Sequence, residues 1–252
     1  MQLNRGQQIH YRLIAGAGDR PYLIFLHEGL GCVAMWKGFP DRLCGLTGCP
    51  GLVYDRLGYG QSSPASGART INYLHDYALN ELPKVIEAVI PAKPYILIGH
   101  SDGGSISLIL GAAKPPLLKA IITEAAHVFV ELETVAGIEV AHAAYTTGKL
   151  NGLTRYHGDK TDTIFSAWAD TWRSEWFARW NIEDLLPSIA CPVLAIQGAD
   201  DKYGTARQVD SIVSKSSGVA VPMLVEDCGH APHQEQPEKV LQAMADFILQ
   251  HA

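Results

Sequence analysis

The stretch Gly99-His100-Ser101-Asp102-Gly103-Gly104 constrains this chain more than any other. It follows a short apolar run, Tyr95 to Ile98, that reads as a buried strand, and it precedes Ser105 to Ala113, which reads as a buried helix. A strand that turns into a helix across G-x-S-x-G has no room for side chains two residues either side of the serine. The serine is held on strained backbone with its hydroxyl exposed at the strand's end. The helix that follows aims its N–H groups at the same place, where developing negative charge is stabilised. A plainer reading of these residues is a glycine-rich turn in which Ser101 only caps the helix.

The rest of the chain supplies the setting such a turn needs. Short apolar runs (Tyr22 to Leu26, Gly51 to Tyr54, Tyr95 to Ile98, Ala120 to Thr123, Val193 to Gln197, Val221 to Val225) alternate with helical patterns at Ile71 to Val89, Ser101 to Ala113, Thr205 to Val213 and Pro237 to Leu249. That alternation predicts an α/β fold, a mainly parallel sheet with helices on both faces. Gln8 to Ile14 is expected to add an antiparallel edge. The rhythm breaks between Val128 and Pro187, a segment too long for a plain crossover. It is rich in aromatics and histidine and is expected to be a helical cap over the strands' carboxyl ends, where open α/β sheets bind ligands. Trp168, Trp172, Trp176 and Trp180 follow one another at four-residue steps within it, which predicts one helix face. That face either glues the cap to the core or, through Trp168 and Trp172, lines a substrate pocket.

Composition removes several classes of function. With 252 residues, 47% hydrophobic and 18% charged, the chain can bury a large core. A net charge of −6 without a lysine or arginine cluster argues against nucleic acid or an anionic membrane as partner. Five scattered cysteines form no C-x-x-C pair, which suits reduced thiols in the cytoplasm. Met1 to Gly6 lacks the apolar core of a signal peptide, and no apolar run is long enough to cross a bilayer. The histidines show no metal-ligand spacing and no G-x-G-x-x-G follows a strand, so neither a metal nor a dinucleotide cofactor is expected.

A serine hydroxyl needs a base, and the base needs a carboxylate to hold its tautomer. The strand candidate at Val193 runs into Gly198-Ala199-Asp200-Asp201, and the one at Val221 into Asp227-Cys228-Gly229-His230-Ala231-Pro232-His233. Three loops therefore leave the same edge of the predicted sheet, carrying a nucleophile, an acid and a base.

Over nearly its whole length the chain resembles the α/β-hydrolase superfamily. Four motifs carry the likeness. His27-Glu28-Gly29-Leu30-Gly31 is similar to the loop after the third strand that contributes to the oxyanion hole. Asp55-Arg56-Leu57-Gly58-Tyr59-Gly60-Gln61-Ser62 resembles the family's D-x-x-G-x-G-x-S turn. Gly99 to Gly103 is similar to the family's nucleophile elbow, the sharp strand-to-helix turn that carries the serine, and Gly198 to Asp201 with Gly229-His230 to the acid and histidine loops. The resemblance implies an α/β-hydrolase core over residues 1–127 and 188–252 with a cap at 128–187. It implies Ser101, Asp201 and His230 as catalytic residues, with Asp200 and Glu124 as the other acids weighed and His233 as the other histidine. It implies an oxyanion hole from the N–H of Asp102 and from Gly29 or Leu30. The chain departs from the family at Glu28, where glycine is usual: either the loop is one residue longer or Glu28 fills that position. A carboxylate there repels developing charge unless it points away or meets a cation, so a structural hydrogen bond is expected, with recognition of a polar or cationic substrate group as the alternative. His27 and His100 are expected to be satisfied by backbone partners. His127, His142 and His157 are either buried or part of the pocket.

The expected activity is cofactor-free hydrolysis of a small organic acyl compound, apolar or aromatic, with a carboxylic ester first and thioester, amide, lactone or carbon–carbon bond cleavage on the same machinery. A lyase or cofactor-free oxygenase on this scaffold and a non-catalytic ligand receptor are the rival readings.

Overall fold

A computed structural model describes residues 1–4 and 6–252; Arg5, within the N-terminal stretch considered above, lies outside the described residues. β1 (Gln2–Asn4) and β2 (Gln7–Gln8) form a small antiparallel ribbon. β3 (Tyr11–Ile14) pairs instead with the main sheet. The single edge strand expected over Gln8 to Ile14 is thus divided. Ile9 gives its N–H to Met1 and His10 gives its own to Ser62 Oγ, so the chain changes partners midway.

The main sheet contains β3, β4 (Tyr22–Leu26), β5 (Gly51–Tyr54), β6 (Tyr95–His100), β7 (Leu118–Glu124), β8 (Val193–Gly198) and β9 (Ala220–Val225), in the order β3-β5-β4-β6-β7-β8-β9. Only β3 is antiparallel. The central strands are largely apolar and buried because both faces are covered. Leu23, Phe25, Ile96, Ile98, Ile122 and Ile196 face α1 (Phe39–Thr47) and the C-terminal helix (Pro237–His251). Ile24, Leu26, Leu97 and Ile121 face the opposite core, which continues into the segment between β7 and β8.

Between β5 and β6 the expected helix is α2 (Tyr73–Asp76), a π-helical turn (Tyr77–Glu81) and α3 (Leu82–Val89). Pro83 has no N–H to give to the preceding turn, so the ladder widens there. α4 (Asp102–Ala112) follows β6. Between β7 and β8 lie α5 (Leu132–Thr146), α6 (Thr154–His157) and α7 (Thr161–Arg173). α8 (Ala206–Lys215), α9 (Pro232–Glu235) and α10, the C-terminal helix, complete the chain. No helix among the described residues is long and apolar enough to cross a membrane.

The four tryptophans do not share a helix face. α7 ends at Arg173; Ser174 turns extended and returns its hydroxyl to the Thr171 carbonyl, a local bond that competes with helix continuation. Trp168 and Trp172 lie on α7, while Trp176 is 46% exposed on the turns beyond. Trp180 folds back onto Trp172 and Phe177.

Candidate active site

Ser101 sits between β6 and α4 with φ +52°, a conformation a non-glycine residue adopts only when its surroundings compel it. The compulsion is steric. A Cβ on Gly99 would lie 2.1 Å from the Gly103 carbonyl oxygen, and one on Gly103 would lie 2.0 Å from that of Leu26. The Ser101 N–H is tied to the Glu124 carbonyl at the end of β7. The hydroxyl is thereby left free to meet His230.

His230 and Asp201 arrive on the loops after β9 and β8. Ser101 Oγ donates to His230 Nε2 at 3.0 Å, and His230 Nδ1 donates to Asp201 Oδ2 at 2.8 Å. Asp201 also accepts from the Tyr203 N–H at 2.8 Å and from the Gln197 side chain. Its side chain is fully buried. Burial works against its charge, yet His230 and the Tyr203 amide hold its carboxyl below the usual carboxylate range. Asp200, one residue earlier, is exposed. Glu124, the third acid weighed from sequence, is fully buried and accepts from His233 Nδ1 at 2.9 Å, away from the serine.

Glu28 is not free to repel charge in the site. Its carboxylate lies 3.6 Å from His100 Nδ1, and His100 Nε2 donates to the His230 carbonyl at 2.7 Å. Burial would strip the His100 proton, but Glu28 outweighs it and pushes the imidazolium up to about 9. His27 is satisfied as expected: Nε2 accepts the Arg56 N–H at 3.2 Å, which leaves the hydrogen on Nδ1 for the Glu28 carbonyl at 2.8 Å. Burial holds it neutral. The N–H groups of Gly29, Leu30 and Asp102, the three expected oxyanion donors, have no protein acceptor among the described residues.

The helices between β7 and β8 close over this edge. Trp168 lies against the loop at Gly29, since a Cβ on Gly29 would come 2.5 Å from its ring. Trp172 Nε1 donates to Tyr73 Oη at 3.0 Å, and Tyr73 donates to Asp102 Oδ2 at 3.1 Å. His157, in the segment between β7 and β8, reaches two other loops, accepting from the Gly60 N–H at 3.0 Å and donating to the Leu30 carbonyl at 2.8 Å. His127 stands 6.1 Å from the His230 ring and gives Nε2–H to the Tyr203 carbonyl. His142 lies farther off, beside Phe165. A cavity of about 890 Å³ is lined by Tyr59, Arg69, Tyr73, Tyr77, Ile164 and Trp176 among others; Ser101, His230 and Asp201 do not line it. Trp168 and Trp172 border the loops rather than this cavity. Two residues near the Ser101–His230–Asp201 line, Tyr73 and Tyr203, were not singled out from sequence, and Arg56 was read only as part of the Asp55–Ser62 turn. Tyr203 lies two residues after Asp201, next to the acid motif. Among the described residues no group of three or more His, Cys, Asp or Glu side chains is placed to hold a metal ion.

Known proteins agree with this architecture. The family model described as "Alpha/beta hydrolase family" matches residues 23–243. A proline iminopeptidase of Lactobacillus helveticus (strain DPC 4571) is 23% identical, covering 98% of this chain and 96% of that protein. A monoglyceride lipase of Mus musculus is 23% identical over 92% of this chain and 83% of its own length. A solved structure of an alpha/beta hydrolase enzyme from a Medee basin deep-sea metagenome library superposes with a TM-score of 0.77 at 16% identity, covering 98% of this chain and 95% of that one. With its parallel sheet, its strained serine at the turn from β6 into α4, and a family match over most of its length, the chain belongs to the alpha/beta hydrolase family and is an enzyme of that family.

Proposed function

We propose that this protein is a serine hydrolase that cleaves a small organic acyl substrate, apolar or aromatic in character, with a carboxylic ester first. One observation carries the reading: the hydrogen-bonded line from Ser101 Oγ through His230 to a buried Asp201, 3.0 and 2.8 Å in its two steps. In it, Ser101 Oγ attacks the ester carbonyl and passes its proton to His230 Nε2. Asp201 stabilises the imidazolium. The tetrahedral oxyanion rests on the N–H of Asp102 and one from the loop at Gly29–Leu30, with the α4 N-terminus behind. His230 then protonates the departing alcohol, and water activated by the same histidine releases the acid from the acyl-enzyme. Tyr73, which bonds Asp102 beside the serine, shares a cavity lining with Tyr59 and Tyr77, and these rings support an apolar or aromatic substrate. The net charge of −6 supports a small-molecule substrate rather than nucleic acid. Five unpaired cysteines suit the cytoplasm.

The test is a panel of 4-nitrophenyl esters, thioesters, amides and lactones, with a fluorophosphonate probe run alongside. Wild-type protein should be labelled at Ser101 and favour esters, and Ser101→Ala should lower kcat by at least about 10³-fold. Substantial turnover by Ser101→Ala would instead favour a lyase or oxygenase in which His230 acts directly on substrate.

A further inference from the structure

Arg56 is fully buried, an expensive place for a guanidinium. Its Nε and Nη1 have no hydrogen-bond partner, and its charge faces the Tyr59 and Tyr77 rings at 4.8 and 5.1 Å. A methionine could fill such a space without that cost. What Arg56 does is specific: Nη2 donates to the Glu28 carbonyl at 2.8 Å and lies 4.0 Å from Asp102 Oδ2. The same carbonyl also accepts from His27 Nδ1 at 2.8 Å and from the Gly31 N–H at 3.1 Å. Three donors on one carbonyl fix the plane of the Glu28–Gly29 peptide. In a trans peptide the N–H points opposite to the carbonyl, so a Glu28 carbonyl drawn into the core toward Arg56 turns the Gly29 N–H outward. That N–H has no protein acceptor among the described residues, and a Cβ on Gly29 would lie 3.4 Å from Asp102 Oδ2, which places Gly29 beside the elbow.

We infer that Arg56 is a positioning residue for the oxyanion hole: it pins the Glu28–Gly29 peptide so that the Gly29 N–H, rather than that of Leu30, joins the Asp102 N–H on the oxyanion. Its buried charge also offsets the Asp102 carboxylate, which otherwise opposes an anion forming one residue away. The Glu28 carboxylate is neutralised separately by His100. The inference rests on the serine-hydrolase reading above.

The experiment compares wild type with Arg56→Gln and Arg56→Lys on one 4-nitrophenyl ester, and measures affinity for a boronic acid, which forms a tetrahedral anionic adduct on a serine. Because a donor is misplaced rather than deleted, Arg56→Gln should lower kcat by about 10- to 100-fold with KM within about threefold. Boronate affinity should fall by a similar factor, while affinity for the product acid stays within about threefold. Arg56→Lys should recover part of kcat, since it keeps the charge without the fork. A folded Arg56→Gln with wild-type kcat, or with boronate affinity unchanged, overturns the inference. The wild-type structure of the phosphonate adduct at Ser101 decides without any variant. A phosphoryl oxygen on the Gly29 and Asp102 amides supports it, and one on the Leu30 amide in place of Gly29 overturns it. Failure of wild-type protein to form either adduct sinks the serine reading itself; adduct formation with an unaffected Arg56→Gln sinks only the role of Arg56.

Discussion

Two carboxylate–imidazole pairs stand side by side at the carboxyl edge of the sheet. Asp201 holds His230 at 2.8 Å and Glu124 holds His233 at 2.9 Å. The two histidines come from one short stretch after β9, and the His100 ring stands between them, 5.2 Å from one and 5.1 Å from the other. By acid–histidine distance they are equivalent. They differ at the far nitrogen. His230 Nε2 meets a serine hydroxyl held at positive φ, while His233 Nε2 faces the side chain of Gln234 at 3.3 Å. The His230 side chain is 21% exposed; that of His233 is 3% exposed and packed on Trp36 and Phe39. A carboxylate beside an imidazole is therefore a structural element as readily as a reactive one. Chemistry needs the second nitrogen to reach a nucleophile and the substrate to reach both.

The strongest way to break this comparison is to neutralise each acid in turn. Asp201→Asn should lower kcat on a 4-nitrophenyl ester by about 10³- to 10⁴-fold, because the histidine loses its tautomer and its imidazolium its counter-charge. Glu124→Gln should leave kcat within about threefold and instead cost about 3 kcal/mol in urea unfolding, since a buried charged acceptor is lost from His233. The opposite pattern would transfer the catalytic acid to Glu124.

The elbow was legible because its constraints are local. Gly99 and Gly103 are demanded by backbone within five residues and by one neighbouring strand. The acid and histidine loops were legible because each follows an apolar strand directly. The choice of His230 over His233 rested on family likeness, and the packing of Trp36 and Phe39 that seals His233 comes from the β4–α1 connection and the start of α1, about two hundred residues away in the chain. The tryptophan spacing misled because periodicity says nothing about where a helix stops, and Ser174 stops α7 midway through the series. Arg56 was illegible for a related reason. In a turn rich in glycine and serine an arginine reads as a solvated charge, and it is buried only because the loops after β4 and β5 meet the π-helical turn.

A smaller effect probes His100, the ring between the pairs. Its folded pKa, near 9, lies above the ordinary value of 6.5, so the stability it contributes is complete below that ordinary value and fades as pH rises through 9. Glu28 is held well below its ordinary 4.5 despite burial, because the His100 imidazolium 3.6 Å away attracts it, so its contribution is present above 4.5 and fades as pH falls toward the folded value. The Glu28–His100 pair is thus intact from about pH 5 to 8. Wild-type protein should lose stability between about pH 8 and 10, and Glu28→Gln should lack that loss, as read from urea midpoints across pH. Equal pH slopes would remove the ion pair from the account.

The smallest expected effect is at Asp200, and its smallness is the point. This carboxylate adjoins Asp201 in sequence, yet it is exposed and its backbone N–H goes to the Cys228 carbonyl. Its charge is in water, so screening leaves it little influence on His230. Asp200→Asn should change kcat by less than about twofold and stability by under about 0.5 kcal/mol. A loss approaching that of Asp201→Asn would mean that the loop rearranges when substrate binds and exchanges one acid for the other. Geometry at rest would then no longer separate the pair that reacts from the pair that only packs.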